Sequence, residues 1–373
     1  MVNPRCKRRG STGRMRDHPG HSESRTGFML ALVAALAFGV TAPLVQRFAS
    51  NAGPFAVSAL LYFGAACVAA FTQARRGREA KLRLRHVPIL VGMALAGAVA
   101  APALLAWGLA RTSGVSAGLG LNFEAVFTAL FGYLLLRETI GRRALAALVL
   151  MTAGGALLVV GRAREGASEL FGLAAIMGGT AGWGLDNALS NRLAEVDPGQ
   201  VVVTKASLGT AVSLVLMALT GQDWPSTSAA FGLFAVGATG YGLSLRLYLM
   251  AQRRVGAART ASLFATAPFI AAAVAAFAGE PWGGVPTAAA SVLMVFGLAL
   301  HLTEDHRHFH RHERLVHDHA HRHAAPFALS GEDPHHTHRH DPPFVGEHAH
   351  PHEHEPTEHE HPHMPDAHHL HPH

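Results

Sequence analysis

Glu124, Asp186, Lys205 and Arg246 lie inside stretches of chain that are otherwise almost wholly apolar. At bilayer depth an ionised side chain costs about 2.5–3.5 kcal/mol on insertion scales, so it normally faces a partner or a water-filled cavity. Glu124 stands near the middle of its segment. Its carboxylate can hold a proton or a substrate group, or it can order two helices through a hydrogen bond. Asp186 and the adjacent Asn187 follow Trp183-Gly184. Asp186 can pair with Lys205, near the start of the next segment, or bind a cation. Arg246, among Tyr241, Ser244 and Tyr248, can grip a carboxylate or phosphate with both arms of its guanidinium. It can equally pair with Glu124 or extend to the membrane surface. Asn122 precedes Glu124 by two residues, and Trp107, Trp183, Tyr241 and Tyr248 can line a cavity or serve packing and the interface.

Histidine is the second chemical signal. Apart from His18, His21 and His86, all 27 histidines lie between His301 and His373. Many alternate with another residue: His306, His308, His310 and His312; His317, His319, His321 and His323; His348, His350, His352 and His354. Imidazole is a common metal ligand, and in an extended chain residues i and i+2 share a side. These runs can therefore offer neighbouring imidazoles to Zn²⁺, Ni²⁺ or Cu²⁺. They lack the ligand spacing of a folded four-ligand zinc site, so the expectation is several weak, exchangeable sites, with no cofactor required elsewhere. Interleaved Pro, Glu, Asp and Arg predict that 304–373 is disordered. The tail then either buffers or senses metal, or has an incidental affinity for it. His86 is the lone histidine of 28–300, which weighs against the apolar region as a dedicated Zn²⁺ or Ni²⁺ path.

The elements that must hold these residues are membrane helices. The chain has 373 residues, 49% hydrophobic and 15% charged, against about 25% charged in soluble domains. Mean hydropathy is +0.21 even with the polar ends included. Ten apolar segments of spanning length occur at 28–48, 55–73, 87–109, 114–136, 143–161, 170–189, 199–220, 229–251, 257–278 and 285–303. In lipid each must be a helix, since unpaired backbone groups are too costly there. The pI of about 9.9 comes from basic loops and the basic segment 1–27, so it calls for no nucleic-acid partner. Basic residues cluster on one side: Arg75, Arg76, Arg78, Lys81, Arg83 and Arg85; then Arg137, Arg142 and Arg143; then Arg253 and Arg254. On the other side Arg162 and Arg164 are balanced by Glu165 and Glu169. The positive-inside rule then puts both termini in the cytoplasm of a bacterial inner-membrane protein. Cys6 and Cys67 suggest no disulfide framework, and no signature of an enzyme is present.

The segments repeat. Phe38-Gly39 with Arg47 recurs as Trp183-Gly184 with Arg192, an offset of 145 residues. Leu136-Arg137-Glu138 is echoed by Ala278-Gly279-Glu280, and Gly114 by Gly256, both offset by 142. Five helices per half is odd, so the halves 28–161 and 170–303 insert with opposite topology, an arrangement shared by secondary transporters.

With these features the chain resembles the EamA type of the drug/metabolite transporter superfamily over about 28–303. The strings Leu121-Asn122-Phe123-Glu124-Ala125-Val126-Phe127-Thr128, Trp183-Gly184-Leu185-Asp186-Asn187, and Gly256-Ala257-Ala258-Arg259-Thr260 with Ala267-Pro268-Phe269 resemble a bacterial branch that often ends in a His-rich tail. Asn187-Ala188 departs from the Asn-Asn usual there. The resemblance implies an all-α integral membrane fold of ten helices in two inverted five-helix repeats. It also implies export or exchange of small organic molecules. Taken with the intramembrane charges, it points to a small polar metabolite moved by alternating access, with Glu124, Asp186, Asn187, Lys205, Arg246, Asn122, Trp183 and Tyr248 as expected substrate and coupling residues. The expected partners are the bilayer, the substrate, a second copy in a homodimer and, from the composition of the tail, divalent metal. A Ni, Zn or Co exporter and a membrane-anchored metal buffer or sensor are the alternatives.

Overall fold

The computed structural model describes residues 20–73, 82–136, 140–193, 196–255 and 257–302, and the backbone of 307–312, 315–323, 346–354 and 357–362. Arg75, Arg76, Arg78, Lys81, Arg137, Glu138, Gly256 and His306 lie outside the described residues.

The first half opens with α1 (Gly20–Gly39) and α2 (Thr41–Phe48), one crossing interrupted at Val40, where the Thr41 hydroxyl donates to the Phe38 carbonyl. Next come α3 (Pro54–Gln73), then α4 (Val87–Met93) and α5 (Ala101–Leu109), joined by a π-helical stretch at Ala94–Ala100. The fourth crossing is again two helices, α6 (Gly114–Gly120) and α7 (Phe123–Phe131), and α8 (Arg142–Arg162) is the fifth. Ser113 caps α6, accepting from the Ser116 amide at 3.2 Å.

The second half runs α9 (Ala167–Ser190), α10 (Pro198–Leu219), α11 (Thr227–Val236) and α12 (Ser244–Val255), followed by α13 (Ala257–Phe264), α14 (Ala267–Phe277) and α15 (Gly284–Leu302). A π-helical stretch at Gly237–Leu243 joins α11 to α12. Asp197 caps α10 by accepting from the amides of Gly199 and Gln200. Among the described residues, nine stretches are long and apolar enough to cross a membrane. The remaining expected crossing is α9. Its 24 residues extend about 36 Å, more than a hydrocarbon core of about 30 Å, and its glycines, Glu169 and Asp186 lower its hydropathy. The protein is therefore a multi-pass membrane protein.

The two halves match in their irregularities. Each third crossing carries seven residues of π-helix, at Ala94–Ala100 and Gly237–Leu243. Each fourth crossing is broken, at Leu121–Asn122 and at Ala265–Thr266. The first break tightens to three-residue turns, Asn122 N–H to Leu119 O and Glu124 N–H to Leu121 O, both 3.1 Å. The second precedes Pro268, which has no N–H to continue the ladder. Packing obeys the same symmetry: α3 lies on α10, α6 on α14 and α8 on α15, while α1 on α12 mirrors α9 on α5. Small residues allow the backbones to approach. A Cβ at Gly118 would sit 2.5 Å from the Ala272 amide nitrogen, so only glycine fits between α6 and α14.

The membrane region is all-α, as expected for two five-helix repeats. In the described parts of the His-rich tail the backbone pairs as β1 (Arg307–His312) with β4 (Thr357–Pro362), and β2 (Leu315–His323) with β3 (Gly346–His354), both antiparallel.

Candidate functional site

Two polar groups meet where α7 and α9 pack together beside α10. Glu124 is in the first turn of α7, directly after the break, where the partial positive end of the helix favours a carboxylate. It accepts a hydrogen bond from Asn187 Nδ2 at 2.9 Å, and the same amide lies 3.3 Å from Thr128 Oγ1, one turn further along α7. A turn from Asn187 toward the far end, Trp183 is buried. Between them on α9, Asp186 accepts from Lys205 Nζ of α10 at 2.7 Å. Both charges are withdrawn from water, with side chains 6% and 15% exposed. The second carboxylate oxygen, Asp186 Oδ1, is buried with no hydrogen-bond partner. The charges of Asp186 and Lys205 both act on Glu124.

The π-helical stretch makes room for this arrangement. A π turn disturbs the i→i−4 ladder and leaves carbonyls open to other donors. The Gly97 carbonyl takes two, Tyr62 Oη at 2.6 Å and Trp183 Nε1 at 3.0 Å, while Ser58 Oγ reaches the Val99 carbonyl at 2.9 Å. Gly97 must be glycine here, because a Cβ would collide with the Asp186 carboxylate. An aromatic wall adjoins. Tyr241 contacts Trp183, Tyr62 and Phe38 at ring-centre distances of 6.3, 5.5 and 5.7 Å, and Phe38 leads through Phe264 to Tyr248.

The site is tight on one side and looser on the other. Every residue of α6 is buried, and so are Ala267, Ala271, Ala272 and Ala275 of α14. Across the breaks the pattern changes: only Phe123 of α7 is buried, and Asn187 is exposed. An exposed amide hydrogen-bonded to a half-buried carboxylate is costly against lipid at this depth, so this side calls for water.

The sequence candidates divide accordingly. Glu124, Asn187, Asp186 and Lys205 come together, and Trp183 props the adjoining backbone. Asn122 does not join them: it is buried, donating to the Leu119 carbonyl at 2.9 Å and facing Met294 Sδ of α15 at 3.9 Å. Arg246 is half-buried on α12, and among the described residues it makes no hydrogen bond or ion pair, so the pairing with Glu124 is not seen. Arg192 donates to the Leu135 carbonyl at 3.1 Å, near the end of its crossing. Sequence reasoning passed over Tyr62, Gly97 and Thr128. Hydroxyls at mid-span were the available signal for Tyr62 and Thr128; nothing in a glycine-rich segment singles out Gly97.

Comparison with known proteins agrees with this architecture. A family model described as the EamA-like transporter family matches residues 25–160 and again 170–303. A protein of Methanothermobacter thermautotrophicus, named as an uncharacterized transporter, is 29% identical over 261 residues, covering 64% of this chain and 75% of its own length. A solved crystal structure aligns with a TM-score of 0.55 at 20% identity, over 76% of this chain and 98% of that one, a likeness of fold.

Proposed function

Given that the chain belongs to the EamA-like transporter family, we propose that it is a secondary exporter of a small polar metabolite, working by alternating access in a bacterial inner membrane with both termini in the cytoplasm. The observation that carries this reading is the intramembrane polar group Glu124–Asn187 and Asp186–Lys205, set at the break in the fourth crossing beside the opposite half. Inverted repeats place substrate sites at this depth, and the non-helical turns at such breaks supply backbone groups for a ligand. The ammonium of Lys205 and the carboxylates of Glu124 and Asp186 offer both signs of charge, which suits a zwitterion or an anion better than a hydrocarbon. Arg246, half-buried on α12, adds a guanidinium that makes no hydrogen bond or ion pair among the described residues. Glu124, exchanging Asn187 for substrate or proton, is the coupling group.

Cells expressing the full chain should tolerate toxic analogues of amino acids or organic acids better than cells carrying an empty vector. The Glu124→Gln variant, verified in the membrane, should lose that protection by about tenfold, since an amide keeps the size but neither charge nor proton. Normal protection with unaltered pH dependence in Glu124→Gln would remove the carboxylate from the mechanism.

A metal role for the tail is a second reading, supported by the strand register. In the backbone register of β2 and β3, His317 is paired with His352, His319 with His350 and His321 with His348. The β1–β4 ladder adds His308–His361 and His310–His359. Histidine paired with histidine across a ladder brings imidazoles from two stretches of chain into one neighbourhood, which favours metal over the same residues spaced at random. Alanine at His348, His350 and His352 should lower Ni²⁺ or Zn²⁺ affinity of the purified full chain by about tenfold. Alanine at His335, His336 and His338, between the strands, should change it little. Equal losses in the two variants would mean that composition alone binds the metal. Cellular Ni and Zn lowered by the full chain would instead favour metal as the cargo.

A further inference from the structure

Among the described residues, the largest fully buried side chain is that of Arg162, 1% exposed at the very end of α8. An arginine at a helix end ordinarily reaches out to water. This one turns inward and ties three separate turns together. Its Nη1 donates to both carboxylate oxygens of Glu165, at 2.6 and 2.8 Å, in the junction between the two halves. Its Nη2 reaches Ser113 Oγ at 3.1 Å, at the start of α6, and the Pro281 carbonyl at 3.5 Å, in the turn before α15. Glu169, 3.9 Å from Nε, accepts in turn from Thr112 Oγ1 at 2.7 Å. Gly283, at φ +86°, leaves the space: a Cβ there would stand 2.5 Å from the guanidinium. The cluster sits at the end where α6 and α14 are packed shut, opposite the looser side at Asn187.

We propose that Arg162 is a positioning residue of the transport cycle, an ionic latch that holds this end closed while the Glu124–Asn187 end is open, and that must release for the opposite state. The arrangement fits a latch better than a simple strut. Its partners are contributed by both halves and by the junction between them, the parts that must separate when that end opens. Charge-assisted hydrogen bonds hold strongly in a closed, dry setting, and each partner regains water on opening, so release needs no covalent step. The inference rests on the alternating-access reading, but its test needs no substrate and can fail separately from the substrate assignment.

The test is cysteine accessibility in the purified full chain in nanodiscs, with Cys6 and Cys67 replaced by serine. Ser116→Cys reports the latched end, because Ser116 is fully buried beneath the cluster. Ser190→Cys reports the open end. In Arg162→Ala, maleimide labelling should rise about tenfold at position 116 and fall at position 190. Arg162→Lys should restore part of the difference. A merely structural arginine would give a different pattern, with both positions more reactive as the fold loosens. Either that outcome or unchanged labelling at both positions overturns the latch. Should Arg162→Ala fail to accumulate, Glu165→Gln, which removes the shortest ion pair at a residue 47% exposed, is judged by the same opposed changes.

Discussion

Replacing Lys205 with alanine is expected to destabilise the protein more than any other single truncation in the central site. The change strands Asp186 as a buried carboxylate whose one hydrogen bond among the described residues came from Lys205, while its other oxygen already lacks one. Removing one partner of a buried ion pair costs about 3–5 kcal/mol, because the remaining charge keeps its desolvation cost and loses its attraction. The same ledger predicts rescue. Neutralising both partners, as Asp186→Asn with Lys205→Gln, removes the stranded charge and should recover most of the melting temperature. Transport separates structure from function: if the pair serves packing alone, the double variant works; if the charges meet substrate, it folds and does not transport. A Lys205→Ala protein that melts like the parent would mean that the pair is hydrated and water reaches Asp186 from α10.

Gly97→Val is expected to have the second largest effect. Its Cβ would occupy the position of the Asp186 carboxylate, and the carbonyl of the same residue holds Tyr62 and Trp183. Overpacking of a rigid interior costs about 1–3 kcal/mol. Here the displaced atoms belong to an ion pair, so the loss should add to that of the contact with Lys205. Gly92→Ala and Gly178→Ala are the matched controls. Their Cβ atoms would meet only the ends of Leu189 and Leu104 side chains, at 3.3 Å, and these can shift. Thermal melts of the three variants in detergent decide the point. Equal melting temperatures would show that α9 can withdraw from the π-helical stretch at little cost.

The crossings were legible in the sequence because lipid admits so few structures, and a run of about 20 apolar residues already implies its own hydrogen bonding. Even α9, diluted by glycine and two acids, could be read from its place in the repeat. Glu124, Asp186, Asn187 and Lys205 were legible for a related reason, since the cost of placing them in lipid demands an explanation for each. Their pairing was not. Whether Lys205 met Asp186 depended on the rotation of α9 against α10, and no period in the sequence fixes a helix that is apolar on nearly all sides. Arg162 was hidden differently. Counted along the chain it is one base of a loop balanced by Glu165 and Glu169; only the folding of three distant turns onto one spot makes it a buried cluster.

The π-helical stretches of the two third crossings carry a historical meaning as well; a further one, Gly132–Leu136 in the fourth crossing, has no counterpart among the described residues of the second half. Each one amounts to a residue more than an α-helix of the same path would use. An isolated insertion of that kind is ordinarily lost unless it is useful. Here both halves have it, seven residues long and in the same third crossing, although the strings around it, Ala94–Ala100 and Gly237–Leu243, share little beyond small side chains. A single five-helix unit that already carried the widened turn when it was doubled would account for both. On that history the turn would be older than the two-halved protein.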